Sequence, residues 1–234
     1  MSGKSGDQKR PVHIPVLLRE VMEQLDLSPG LVVVDGTVGA GGHSQHILKQ
    51  IGTTGTLIGL DRDEMMLGFA REKLGAETLP DGQCFLRQAS YAELPAVLEE
   101  LQIPSVDRVL LDLGLSSDQL SDDTRGFGFE TPGDLDLRFD TRQGIPAWQL
   151  LETLSEAELV EIMEVYGEER FSQRIASQLV QQRKTNPVRT AADLIAAVQA
   201  AMPAKALATA RKNPATRVFQ ALRIAANQEL EQLE

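Results

Sequence analysis

The sequence predicts an α/β fold, a mostly parallel sheet wrapped by helices and extended by an all-α insertion. Three observations carry that expectation. Short β-branched runs alternate with helical stretches between residues 31 and 113. Those runs are almost continuously apolar, as strands buried on both faces must be. From about residue 147 the pattern turns wholly helical, and capping residues mark the helix starts.

The elements follow in order. LVVVD (31–35) reads as a buried strand that passes through a Gly-rich turn into a helix over 43–50. TLIGLD (56–61) is a second strand, followed by a helix over Glu64–Leu74. CFLRQ (84–88) is a third strand, 92–101 a helix, and VDRVLLDL (106–113) a fourth strand. Residues 114–146 are rich in Gly, Asp, Ser and Phe and lack periodicity, a loop too long to be idle. Within 147–210, Ser155 with Glu158 forms a capping box ahead of Leu159, Ile162 and Met163. Thr190 with Asp193 repeats the pattern ahead of Leu194, Ile195 and Val198. Asn213-Pro214 offers an N-cap and first helical residue for a last helix through Val218, Leu222, Ala225 and Leu230.

Composition narrows the functional classes. With 42% hydrophobic and 24% charged residues, the 234-residue chain can bury a core and is neither disordered nor fibrous. No apolar run approaches the ~18 residues of a membrane span. The polar start MSGKSGDQKR has no apolar segment, so a cytoplasmic protein is expected. A lone Cys84 leaves no disulfide framework and no Cys-based zinc site, and no metal is expected. Charge is uneven. Residues 1–90 hold 9 basic and 11 acidic side chains, 91–164 hold 4 and 17, and 165–234 hold 10 and 6. A nucleic-acid-binding face would therefore sit in the last third, where the local field is positive. Individually, Arg170, Arg174, Arg183, Lys184, Arg211, Lys212, Arg217 and Arg223 each read more readily as solvated helix faces.

VVVDGTVGAGGH (32–43) is the most informative stretch. A strand ends in Asp35 and runs through Gly36, Gly39, Gly41 and Gly42 before a helix, where glycines allow a sharp turn and close backbone approach. Asp61 ends the next strand, at the spacing where a carboxylate reaches ribose hydroxyls. The dinucleotide pattern G-x-G-x-x-G fails at Ser44, and the phosphate-loop pattern lacks its lysine. S-adenosyl-L-methionine fits better, because it carries no phosphates and a cationic end suits nearby acids. A nicotinamide-dependent oxidoreductase is the weaker competitor. Asp112, ending the fourth strand, is expected to face the ligand crevice.

Together HIPVLLREV (13–21), DGTVGAGGH (35–43), GLDRD (59–63), DLGLSSDQL (112–120), RGFGF (125–129), LDLRFD (135–140), YGEERFSQRIA (166–176) and NPATRVFQALRIAANQEL (213–230) resemble one family across nearly the whole chain. It is the bacterial 16S rRNA cytosine-N4 methyltransferase family, ribosomal RNA small subunit methyltransferase H. The resemblance implies a Rossmann-like class I methyltransferase core with an all-α insertion domain. It implies S-adenosyl-L-methionine bound at Gly41, Gly42, His43, Asp61, Tyr91, Asp112 and Gln119. Asp112 is also the catalytic candidate on chemical grounds, expected to help position the exocyclic amine or the sulfonium. The resemblance further implies 16S rRNA in the small ribosomal subunit, at the decoding centre, as substrate, with a homodimer left open. Residues 1–124 would form the cofactor-binding core, 125–210 the substrate-recognition insertion, and 211–234 a helix returning to the core.

Arg125, Phe127 and Arg217 are the candidates for substrate contact. Phe127, Phe129, Phe139 and Trp148 would either stack a flipped-out base or pin the long loop, with pinning favoured for Phe139 and Trp148. Cytosine C5 methylation needs a cysteine nucleophile, and Cys84 lies at the start of the third strand, so transfer to an exocyclic amine is favoured. The chain has LDLRF where the family has LDMRM, and Asn213 where it has histidine. Family members continue past this point into a Ser-Phe-His-Ser type motif and the last strands. A truncated, catalytically incomplete fragment that binds cofactor or RNA without turnover is therefore the alternative expectation, its fourth strand an exposed edge.

Overall fold

The computed structural model describes residues 15–233, and its contacts divide the chain into two compact units after Leu113. The first unit holds α1 (Leu18–Leu25), β1 (Val32–Asp35), α2 (Gly42–Ile51), β2 (Thr56–Asp61), α3 (Glu64–Leu74), β3 (Cys84–Gln88), α4 (Leu94–Glu100) and β4 (Arg108–Leu110). All strand pairs are parallel, in the order β3-β2-β1-β4. That is the Rossmann-like order, with the switch point between β1 and β4, where connections leave in opposite directions. Val34 pairs with Ile58 on one side and Val109 on the other.

Two apolar layers sandwich this sheet. Val33, Leu57, Ile47 and Ile51 pack on one side, and Val34, Ile58, Leu60 and Val97 on the other. Each fully buried aliphatic side chain contributes roughly 1.5–3 kcal/mol. Helix α3 starts where the Asp63 carboxylate accepts from the Met65 amide and stops at Gly75 with φ 60°. Pro95 occupies the first turn of α4, where its missing N–H costs nothing.

Strand β4 is shorter than the sequence predicts. Its ladder closes with the Gly36 amide donating to the Leu110 carbonyl. Two residues on, the Asp112 amide is taken by the Thr37 side chain, and pairing with β1 ends. Along this edge Val109, Leu111 and Leu113 stand exposed.

The second unit holds α5 (Ser117–Leu120), α6 (Ala147–Thr153), α7 (Glu156–Val165), α8 (Ser172–Gln182), α9 (Ala191–Ala201), α10 (Ala204–Thr209) and α11 (Thr216–Asn227). Both expected capping boxes form, at Ser155/Glu158 and Thr190/Asp193. A third, Ser116/Gln119, opens α5 inside the stretch expected to be loop.

The contacts divide the chain after Leu113, where the sequence reading sets a boundary at 124. Helix α11 places Val218, Phe219, Ala221 and Leu222 in the helical core with Met163 and Ile175. It begins later and ends earlier than predicted. The Asn213 side chain accepts from the Ala215 amide in a turn before the first helical residue. Gln228, with φ 52°, ends α11 and leaves Leu230 outside and exposed.

Two glycines make the packing testable. A Cβ on Gly167 would lie 2.6 Å from the Arg217 carbonyl oxygen and 2.9 Å from that of Met163. Gly68, inside α3, has nothing within 4 Å of the same position. Gly167→Ala is expected to destabilise by about 1–3 kcal/mol. Gly68→Ala is expected to stabilise by about 0.5–1 kcal/mol. Urea unfolding of both variants checks the pair.

Candidate active site

Parallel strands deliver their carboxyl ends to one edge of the sheet, and three acids collect there. Asp35 ends β1, Asp61 ends β2 and Asp112 lies two residues beyond β4. Asp35 is buried. Its carboxylate accepts from the Ser44 hydroxyl at 2.6 Å and the Thr37 amide at 3.3 Å. Burial nevertheless raises its pKa, opposed by those donors and by nearby His43.

Asp61 binds the same loop from the neighbouring strand. One oxygen accepts the Gly39 amide at 2.8 Å and the other the Asp63 amide at 2.9 Å. Burial pushes its carboxyl up to about 6 in spite of both amides. Each oxygen retains a lone pair for a further donor, so ribose-type hydroxyls fit this carboxylate.

The glycines divide into two kinds. Gly39 and Gly41 take φ of 52° and 79°, which side-chain-bearing residues rarely adopt. Gly36 and Gly42 instead make room for the chain itself. A Cβ on Gly36 would meet Leu111 at 2.5 Å and Tyr91 at 3.1 Å, and one on Gly42 would meet Pro15 at 2.7 Å. Tyr91 is thereby seated against the turn that leaves β1. His43, in the first turn of α2, is buried, with Nε2 3.0 Å from the Val16 carbonyl and Nδ1 3.8 Å from an Asp112 oxygen. The Asp112 amide donates to Thr37 Oγ1 at 2.7 Å.

The first unit thus brings together Gly41, Gly42, His43, Asp61, Tyr91 and Asp112. Thr37, which the sequence reading did not single out, joins them. The remaining candidates belong to the helical unit and take other parts. Gln119 is buried, and its side-chain oxygen accepts the Ser116 amide in the α5 capping box. Arg125 is buried instead of presented to solvent. It pairs with Asp122, donates to the Phe139 carbonyl and lies 5.2 Å over the Phe127 ring. Phe127 is buried and stacks on Phe139 at 5.8 Å, so it pins the loop and is not an open platform. The Trp148 face is covered by the Arg189 guanidinium at 3.5 Å.

Among the C-terminal bases, Arg183 donates to the Leu151 and Leu154 carbonyls, Arg217 to the Glu168 carbonyl, and Arg223 pairs with Glu229. Arg217 is nonetheless exposed, as are Arg170, Arg174, Lys184, Arg211 and Lys212. Among the described residues no group of acids, histidines and cysteine is placed to hold a metal ion. Nor is any helix among them long and apolar enough to cross a membrane.

A glycine turn and strand-end acids at the switch point place the chain among the Rossmann-like α/β proteins, with a site suited to a hydroxyl-bearing ligand. The chain belongs to the MraW methylase family, whose model matches residues 10–234. It is 46% identical to "Ribosomal RNA small subunit methyltransferase H" of Nitrosospira multiformis, over 94% of this chain and 68% of that protein. It is 47% identical to the protein of the same name from Trichlorobacter lovleyi, over 95% of this chain and 70% of that one.

The two buried acids set a pH dependence. Because the folded-state pKa of Asp61 is raised to about 6, the native protein keeps a proton there that the unfolded chain has released. Stability is therefore expected to fall as pH rises from about 4 to about 6, and Asp35 acts in the same direction. Asp61→Asn should flatten that slope. Urea midpoints measured across the window check both.

Proposed function

We propose that the chain binds S-adenosyl-L-methionine at the carboxyl ends of β1, β2 and β4 and methylates N4 of a cytosine in 16S rRNA. The target would be the decoding centre of the small ribosomal subunit, in the cytoplasm. The observation that carries the reading is the trio of strand-end acids around a glycine turn that offers no phosphate-binding lysine, in a chain of this family. The names of the relatives support the RNA substrate.

When bound, the cofactor supplies an activated methyl group on a cationic sulfur. Asp61 accepts hydrogen bonds from its ribose hydroxyls, and Tyr91 packs beside its base. Gly41, at positive φ, gives the turn the shape that carries the backbone past it, and Gly42 follows at the start of α2. Asp112, half-exposed and tethered by its amide to Thr37, accepts from the exocyclic amine and holds its lone pair toward the methyl carbon. Carbon methylation through a cysteine is disfavoured. Cys84 opens β3 at the opposite end of the parallel sheet, and burial pushes its thiol up to about 11.

A second reading, binding without turnover, draws support from the bare apolar edge of β4. Transfer of tritium from methyl-labelled cofactor to small-subunit particles separates the two. The first reading expects label in the RNA, lost on Asp112→Ala. The second expects cofactor binding with no label transferred, and unchanged single-turnover transfer by Asp112→Ala would remove the role given to that residue.

Affinity provides an independent check. Asp61→Ala is expected to weaken S-adenosylhomocysteine by about 1–3 kcal/mol in calorimetric titration, as for hydrogen bonds to a charged group. Hydroxyls prefer the ionised carboxylate, which predominates above about pH 6. Binding should accordingly be about tenfold weaker at pH 5 than at pH 7 in the wild type, following the ionised fraction, and nearly flat in the variant.

A further inference from the structure

We propose that Thr37 is a positioning residue that holds Asp112 by its main-chain amide. The inference rests on the reading of Asp112 as the group that meets the substrate amine, and it assigns to Thr37 a part in the reaction that has no other evident purpose.

Thr37 Oγ1 accepts the Asp112 amide at 2.7 Å, at the point where β4 leaves its pairing with β1. The Asp112 backbone is therefore fixed by a side chain of the β1 loop, not by the ladder. His43 adds no second tether, since its Nε2 faces the Val16 carbonyl at 3.0 Å and its Nδ1 lies 3.8 Å from an Asp112 oxygen, beyond hydrogen-bond reach.

Thr37 is itself set by Asp35, whose carboxylate accepts the Thr37 amide at 3.3 Å. Asp112 is thus the acid of the strand-end trio whose carboxylate stands half-exposed while its backbone is tethered by a side chain.

Such a tether acts on the rate and leaves cofactor affinity alone. Thr37→Val keeps the shape and removes the acceptor, whereas Thr37→Ser keeps the acceptor. Single-turnover methylation of small-subunit particles should fall about 10- to 100-fold in Thr37→Val, the scale of a misplaced reacting group. Thr37→Ser should restore most of it. The S-adenosylhomocysteine Kd should stay within about threefold in both, and in an Asp112→Ala background the same substitutions should have little further effect. Additive losses in that background, or an equal loss in Thr37→Ser, would overturn the proposal.

A second measurement holds whether or not the protein turns over. Hydrogen exchange at the Asp112 amide should be protected in the wild type and in Thr37→Ser, and fast in Thr37→Val. Equal exchange in all three refutes the tether by itself. Absence of methyl transfer by a wild type with a protected Asp112 amide refutes the proposed reaction and leaves the tether standing.

Discussion

A carboxylate shut away from water must draw its donors from the chain around it, and Asp35 imposes that requirement on the whole site. Left without them, a buried acid would cost several kcal/mol or hold its proton. Ser44 answers from the first turn of α2 and Thr37 from the turn after β1. Meeting both demands curls residues 35–44 into a tight loop, and the loop reaches positive φ at Gly39 and Gly41. Asp61 then takes the Gly39 amide from the adjacent strand, so two acids hold one loop from two sides. The shape of the carboxyl end of the sheet follows from the hydrogen-bonding needs of these acids more than from apolar packing.

The helical unit is organised on a different principle, in which polar groups are consumed locally so that helices can close on an apolar centre. Arg183 satisfies carbonyls at the end of α6, Arg223 pairs with Glu229 beyond the end of α11, and Arg125 with Asp122 tethers the long loop. Asn227 bridges α11 to that loop, its amide donating to the Leu137 carbonyl and its oxygen accepting the Phe139 amide. Several cations that a charge count would assign to a nucleic-acid face are instead internal fasteners. The basic side chains left on the surface of this unit include Arg170, Arg174, Lys184, Lys205, Arg211, Lys212 and Arg217.

Much of this was legible in the sequence, for reasons that differ by element. The strand over Thr56–Asp61 and the helix over Glu64–Leu74 were readable because burial on two faces and a capped amphipathic pattern are local properties. The Ser155 and Thr190 boxes were readable because both partners lie within one turn. The shortening of β4 was not, because the group that ends its ladder sits 75 residues earlier. Thr37 escaped notice for the same reason, although the turn in which Asp35 accepts from the amide two residues on is a local signal. Arg125 and Phe127 looked like surface groups in a Gly-rich loop, and only Asp122, three residues before Arg125, hinted otherwise. Gln119 had a signal that went unused, since Ser-x-x-Gln is itself a capping pattern.

On the proposed reading, the same Asp61 oxygens that tie down the glycine loop are the ones a ribose would engage, and this gives ligand binding a proton stoichiometry. A carboxyl pushed up to about 6 is partly protonated in mildly acidic solution. Hydroxyls that prefer its ionised form must expel that proton into the solvent as they bind. The heat of association then includes the ionisation enthalpy of whichever buffer collects the proton. Cofactor capture, though it involves no acid–base chemistry in the ligand, becomes an acidifying event.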